Sequence, residues 1–151
     1  MEKQEIQIPS LDLWSMMDKT NHELLLIRQR ELKPYNIASQ QLHILRTIKA
    51  LGTNATITNI AKKIDGHICI ISRQVVILEK DGFVKRMPTP KSRLLKIELT
   101  KKGLDIIKIP TKSKVINSIF IDLTGKERQQ LYSILNKLLS KSKEQTAAFK
   151  G

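Results

Sequence analysis

The spacing of the apolar residues changes twice along this chain, and that change restricts its architecture more than any other feature. Up to Gly82 the apolar positions recur at helical intervals, between Phe83 and Leu99 they alternate, and beyond Thr100 the helical interval returns. A helical pattern laid on a pleated strand would turn many of its apolar residues outward. The chain therefore reads as mainly α with one small β-hairpin set between helices.

The helices can be placed by their stop signals. Over residues 11–32, Leu13, Met17, Leu24 and Ile27 form one stripe, with Trp14, Leu25 and Leu32 beside it and Asp18, Lys19, Glu23, Arg28 and Arg30 opposite. Pro34 stops that helix. Ser39 is placed to cap a second helix over 40–51, with Leu42, Leu45, Ile48 and Leu51 inward, and Gly52 to end it in a left-handed turn. A short helix follows, capped by Thr56 or Thr58, with Ile57, Ile60, Ala61 and Ile64 inward and Asp65-Gly66 as its breaker. Over 68–80, Ile68, Ile71, Val75 and Leu78 fall on one stripe. Cys69, Ser72, Arg73, Val76 and Lys80 fall on the opposite side.

Residues 83–87 and 94–99 read as two strands joined by the basic loop Pro88-Thr89-Pro90-Lys91-Ser92-Arg93. Thr100 can cap a helix over 101–121, which Pro110 should kink or split. Thr124 and Glu127 form a capping box that opens a last helix with Leu131, Ile134, Leu135, Leu138 and Leu139 on one face. From about Lys141 the tail is polar and is expected to fray. With no internal repeat and no low-complexity linker, residues 1–151 are expected to form a single domain.

Charge narrows the class of partner. The 151 residues carry a net +13, and residues 51–103 hold eleven Lys/Arg against four Asp/Glu. Such a balance favours a polyanion, nucleic acid first and an anionic membrane surface second. No apolar run approaches the roughly 20 residues that span a bilayer. The N-terminus is mixed and polar, unlike a secretion signal, so a cytoplasmic location is the default expectation. The lone cysteine, Cys69, excludes an intrachain disulfide and reads as a small packing residue. His22, His43 and His67 have no metal-ligand spacing, and the sequence has no glycine-rich phosphate loop and no nucleophile–base pairing. Neither a metal, a cofactor nor an enzyme activity is expected.

Helix, breaker, helix and a hairpin with a basic tip is the order of a winged helix-turn-helix, here over about 39–100. In that arrangement the second helix enters the major groove and its flanks hold phosphates. The candidate DNA-binding residues are Thr58, His67, Ser72 and Arg73 on the helices and Lys91, Ser92 and Arg93 on the wing. Arginine pairs well with guanine and equally well with phosphate, so both roles stay open for Arg73.

The run Ile60-Ala61 … Ile71-Ser72-Arg73 … Val75 … Leu78-Glu79-Lys80-Asp81-Gly82-Phe83-Val84-Lys85-Arg86, followed by Leu99-Thr100-Lys101-Lys102-Gly103, resembles the MarR family of transcriptional regulators over roughly residues 10–140. Two positions depart from that family. Its usual acidic-x-arginine wing motif is replaced by Lys91-Ser92-Arg93, and the second helix opens on His67-Ile68-Cys69-Ile70 where polar capping residues are usual. Backbone contact and DNA shape are therefore expected to carry more of the specificity than base hydrogen bonds.

The resemblance implies a homodimer whose helices at about 10–33 and 101–140 interlock, reading an inverted-repeat operator on double-stranded DNA. It also implies a ligand-responsive regulator, usually a repressor, released by a small aromatic or phenolic effector. Trp14, Met17, Tyr35, His43 and Met87 are candidates to line that effector's crevice, although each is equally explained as core. The competing reading is a winged-helix module that binds a protein partner or structured RNA.

Overall fold

In a computed structural model the described residues are 7–90, 92–109 and 114–149, without the side chain of Ser92. Helix α1 spans Ser10–Leu32, and a 3₁₀ turn at Lys33–Tyr35 carries Pro34 where the helix ends. Asn36 then takes a positive φ of 50°, which turns the chain into α2, Ser39–Leu51. The N-cap of α2 is Ala38 and not Ser39. The Gln41 side chain takes over the capping role by accepting the Ala38 N–H at 3.0 Å. Gly52 closes α2 with φ 55° and ψ −119°, a region more restrictive than the left-handed turn expected and open essentially to glycine alone.

Of the two threonines offered as caps for α3, Ile57–Lys63, Thr56 accepts the Asn59 N–H at 3.2 Å. The breaker after α3 works through Asp65, whose φ is 53°, whereas a Cβ on Gly66 would sit 3.2 Å from the Ile71 side chain. Gly66 is thus a place of close packing against α4, Ile68–Lys80.

β1, Val84–Thr89, pairs antiparallel with β2, Ser92–Leu99, in the register Val84 with Leu99 and Arg86 with Ile97. The ladder is irregular between Met87 and Thr89, where Pro88 has no N–H to donate. At the base of the hairpin the Ile97 N–H donates to the Ala55 carbonyl at 2.7 Å, tying β2 to the segment that leads into α3. α5, Lys101–Ile106, is capped as expected by Thr100, whose hydroxyl accepts the Gly103 N–H at 3.1 Å and donates to the Gly82 carbonyl at 2.6 Å. A Cβ on Gly103 would lie 2.2 Å from the Phe83 carbonyl oxygen, so only glycine lets α5 start this close to the hairpin.

Residues 1–110 and 111–151 form two separate units. The core of the first is drawn from every element that the helical pattern assigned: Leu32, Leu42, Ile44, Leu45, Ile48, Ile60, Ile71, Val75, Leu78, Phe83, Val84 and Ile97 are buried. Burying each such side chain contributes about 1.5–3 kcal/mol. In the second unit, α6 spans Lys114–Phe120 and α7 spans Gly125–Ala148. The expected capping box is present, with the Thr124 hydroxyl accepting the Glu127 N–H and Glu127 accepting the Thr124 N–H at 2.8 Å. The expectation of a kink at Pro110 lies outside the described residues. The tail expected to fray from Lys141 is helical to Ala148, held in part by a Lys141–Glu144 ion pair one turn apart.

Candidate nucleic-acid interface

α3 and α4 pack through Ile60, Ala61, Ile71 and Val75, which fixes the side of α4 that faces away from the core. The expected inner stripe of α4 holds for Ile71, Val75 and Leu78, all buried, but not for Ile68, which is 55% exposed. Ile68 is the first helical residue of α4. Cys69 corrects a second expectation: it is exposed on the outer face and takes no part in packing the core.

The candidate residues divide by what surrounds them. Arg73 is exposed and, among the described residues, makes no intramolecular hydrogen bond or ion pair. Ser72 beside it is half-buried, at the edge of the core. His67 is the N-cap of α4 with its side chain uninvolved in capping and exposed, and Thr58 is exposed on the first turn of α3. Arg93 is exposed on β2 and is likewise without an intramolecular partner among the described residues. Lys91 and the side chain of Ser92 lie outside the described residues.

Charge counting in sequence could not separate free cations from engaged ones. Arg86 donates through its guanidinium to the Glu79 carboxylate at 2.8 and 2.5 Å, and its backbone N–H reaches the other Glu79 oxygen at 3.3 Å. That hydrogen bonding holds the Glu79 carboxyl below its ordinary range and raises the Arg86 guanidinium. Lys96 and Lys85 share Glu98, at 2.9 and 3.6 Å, which lowers the Glu98 carboxyl. Lys102 donates to the Asp81 carbonyl at 2.7 Å with its ammonium 4.4 Å from the Phe83 ring centre. Four cations of the most basic stretch thus bind the hairpin to itself, to α4 and to α5. Arg73 and Arg93 remain available.

The sequence reading put Cys69 and Val76 on the side of Arg73 and noted the apolar start at Ile70, but overlooked Ile77 and the patch that the four residues make around the guanidinium. Positions three and four residues to either side on α4 are Cys69, Ile70, Val76 and Ile77, all exposed. The signal was in the helical register: these are the positions that adjoin residue 73 on a helix surface.

Of the five effector candidates, Trp14 and Met17 are exposed on α1, His43 is exposed on α2 and Met87 on β1. Tyr35 lines a groove of about 490 Å³ with Phe83, Lys101, Lys102, Asp105, Ile106 and Ile109. None of the other four lines that groove.

The MarR family model matches residues 37–93, from the turn before α2 into β2. Over that stretch the chain is similar to the MarR family. Three solved structures share its fold. One is the organohalide-sensing transcriptional regulator RdhR in a 2,4-dichlorophenol-bound form, at 23% identity and TM-score 0.77, covering 91% of this chain and 88% of that one. The second is MepR of S. aureus in complex with DNA, at 22% identity and TM-score 0.77, covering 89% and 99%. The third is a mutant MarR from E. coli complexed with operator DNA, at 24% identity and TM-score 0.72, covering 87% and 94%. No curated protein matches the chain. Within the matched stretch, the motif that ran from Leu78 to Arg86 has a structural cause. Gly82, at φ 79°, turns the chain, Phe83 and Val84 enter the core, and Glu79 holds Arg86.

Proposed function

We propose that this protein is a DNA-binding transcriptional regulator that works as a homodimer on an inverted-repeat operator. The observation that carries the proposal is the outward face of α4. On a winged helix similar to the MarR family it presents Arg73 with no carboxylate to neutralise it among the described residues, while Lys85, Arg86 and Lys96 of the hairpin are engaged. The DNA-bound forms of MepR and of mutant MarR support the same assignment of partner. Arg93 holds backbone or enters the minor groove from the wing, and His67, Ser72 and Thr58 line the approach of α3 and α4.

Dimerisation is supported by apolar side chains that one chain leaves uncovered. On α1 these are Leu13, Trp14 and Met17, with Trp14 71% exposed. On α7 they are Ile134, Leu135, Leu138 and Leu139. A small chain gains core by pairing such faces. Two recognition helices would then lie about 34–36 Å apart on successive turns of one duplex face. A small phenolic effector is supported by the 2,4-dichlorophenol found in RdhR. It would act by binding one spacing of the two winged units more tightly than the other. Among the described residues no helix is long and apolar enough to cross a membrane.

The test is titration of labelled duplex DNA, with duplex RNA as competitor at one ionic strength. DNA should win, and Arg73→Ala should weaken binding by roughly 1–3 kcal/mol if the guanidinium reads a base. Equal affinity for the two duplexes, or an Arg73→Ala variant indistinguishable from the parent, would overturn the assignment.

A further inference from the structure

The face that α4 offers to DNA is short of hydrogen-bonding groups. Of its outward residues, Cys69, Ile70, Val76 and Ile77 are apolar, and Arg73 and Lys80 are the cations. Ile70 is 40%, Val76 46% and Ile77 38% exposed, so the patch is open to a partner. Glu79, the only carboxylate of the helix, is turned away and held by Arg86. Arg73 stands at the centre of the patch, one helical turn from each apolar pair.

A polyanion with an apolar feature satisfies both halves of such a surface. In the major groove of duplex DNA the thymine 5-methyl is the apolar group on a base edge, and it lies in the groove that a recognition helix enters. An acidic protein surface would complement the two cations but would leave Ile70 and Ile77 facing polar groups, so DNA is the better occupant.

We propose that Ile70, with Cys69 beside it on the first turn of α4, selects thymine by packing on its 5-methyl group next to the base that Arg73 contacts. The inference rests on the DNA-binding assignment above and deepens it: operator sequence is read here by shape-matched apolar contact more than by hydrogen bonds from the helix N-terminus. Val76 and Ile77 extend the apolar surface on the other side of Arg73, where they keep water from the guanidinium.

The probe is a duplex recovered by this chain from a random-sequence library, compared with the same duplex carrying deoxyuridine for thymine at single protected positions. That change removes the methyl and keeps every base-pairing group. At the thymine under Ile70 the parent protein should lose about fourfold in affinity, the equilibrium equivalent of one buried methylene. Ile70→Ala, at an exposed position that leaves the fold intact, should bind the thymine and deoxyuridine duplexes alike. If the parent binds both equally at every protected position, methyl reading is overturned while DNA binding stands. If the library yields no duplex preferred over bulk DNA, sequence reading itself is overturned and the proposal falls with it.

Discussion

At the scale of single residues, the positions that decide this fold are those where a side chain would be in the way or would be missed. Gly103 lies so close to the Phe83 carbonyl that a methyl group has no room against backbone atoms. Gly103→Ala should therefore destabilise the protein by roughly 1–3 kcal/mol, the usual cost of overpacking, measurable as a lower urea midpoint. Glu79 and Arg86 are each about one-third exposed, so solvent screens their pair and Glu79→Gln should cost only about 0.2–1 kcal/mol. Because the folded carboxyl is lowered by Arg86, its contribution is full above the unfolded value near 4.3 and fades as pH falls through the lower folded value. The urea midpoints of the parent and Glu79→Gln should draw together as pH falls below the unfolded carboxyl value and meet once it has passed the lower folded one. A gap that persists there would mean that Glu79 acts through packing and not through charge. Sequence located the glycine and the acid within a recognisable run, but it could not say that Arg86 was bound inward while Arg73 was not. Both are arginines in a basic stretch, and only three-dimensional proximity to Glu79 separates them.

At the scale of elements, apolar spacing together with cap and breaker residues located the helices, the hairpin and most caps, because helical and alternating patterns differ over as few as six residues. It failed at ends. Ile68 belongs to the inner stripe of α4 by spacing, yet at the first position of the helix it is exposed. Ser39 has the chemistry of a cap, yet the chain is already helical there and Gln41 serves Ala38 instead. The tail after Lys141 carries no apolar stripe but keeps good helix formers and a paired Lys141–Glu144, so α7 extends past the last apolar residue of its stripe. That length matters for assembly, because the apolar side of α7 has no cover within its own unit. Leu138→Lys should shift a homodimer toward monomer in sedimentation while leaving helical circular dichroism nearly unchanged. A dimer of undiminished strength would place the interface elsewhere.

For the whole molecule, the net charge of +13 and the particular cations that meet DNA make different predictions about salt. The steepness with which DNA binding falls with ionic strength follows the number of phosphates neutralised and not the total charge, whereas specificity depends on the residues that α4 and the wing actually present. Arg93→Ala should lower the slope of log affinity against log salt by about one and weaken all duplexes alike. A slope that does not move would remove Arg93 from the phosphate contacts. The candidate effector residues were the least legible part of the sequence, since aromatic and methionine side chains serve core, crevice and dimer seam equally well. The bond from the Ile97 N–H to the Ala55 carbonyl has a kinetic meaning too. Ile97 is buried, paired with Arg86 across the hairpin and fastened to the entry of α3, so its amide can reach solvent only when hairpin and helices come apart together. Its deuterium uptake should match the slowest amides of α2. The wing would then rise and fall with the core as one cooperative body, and would not flap as an appendage.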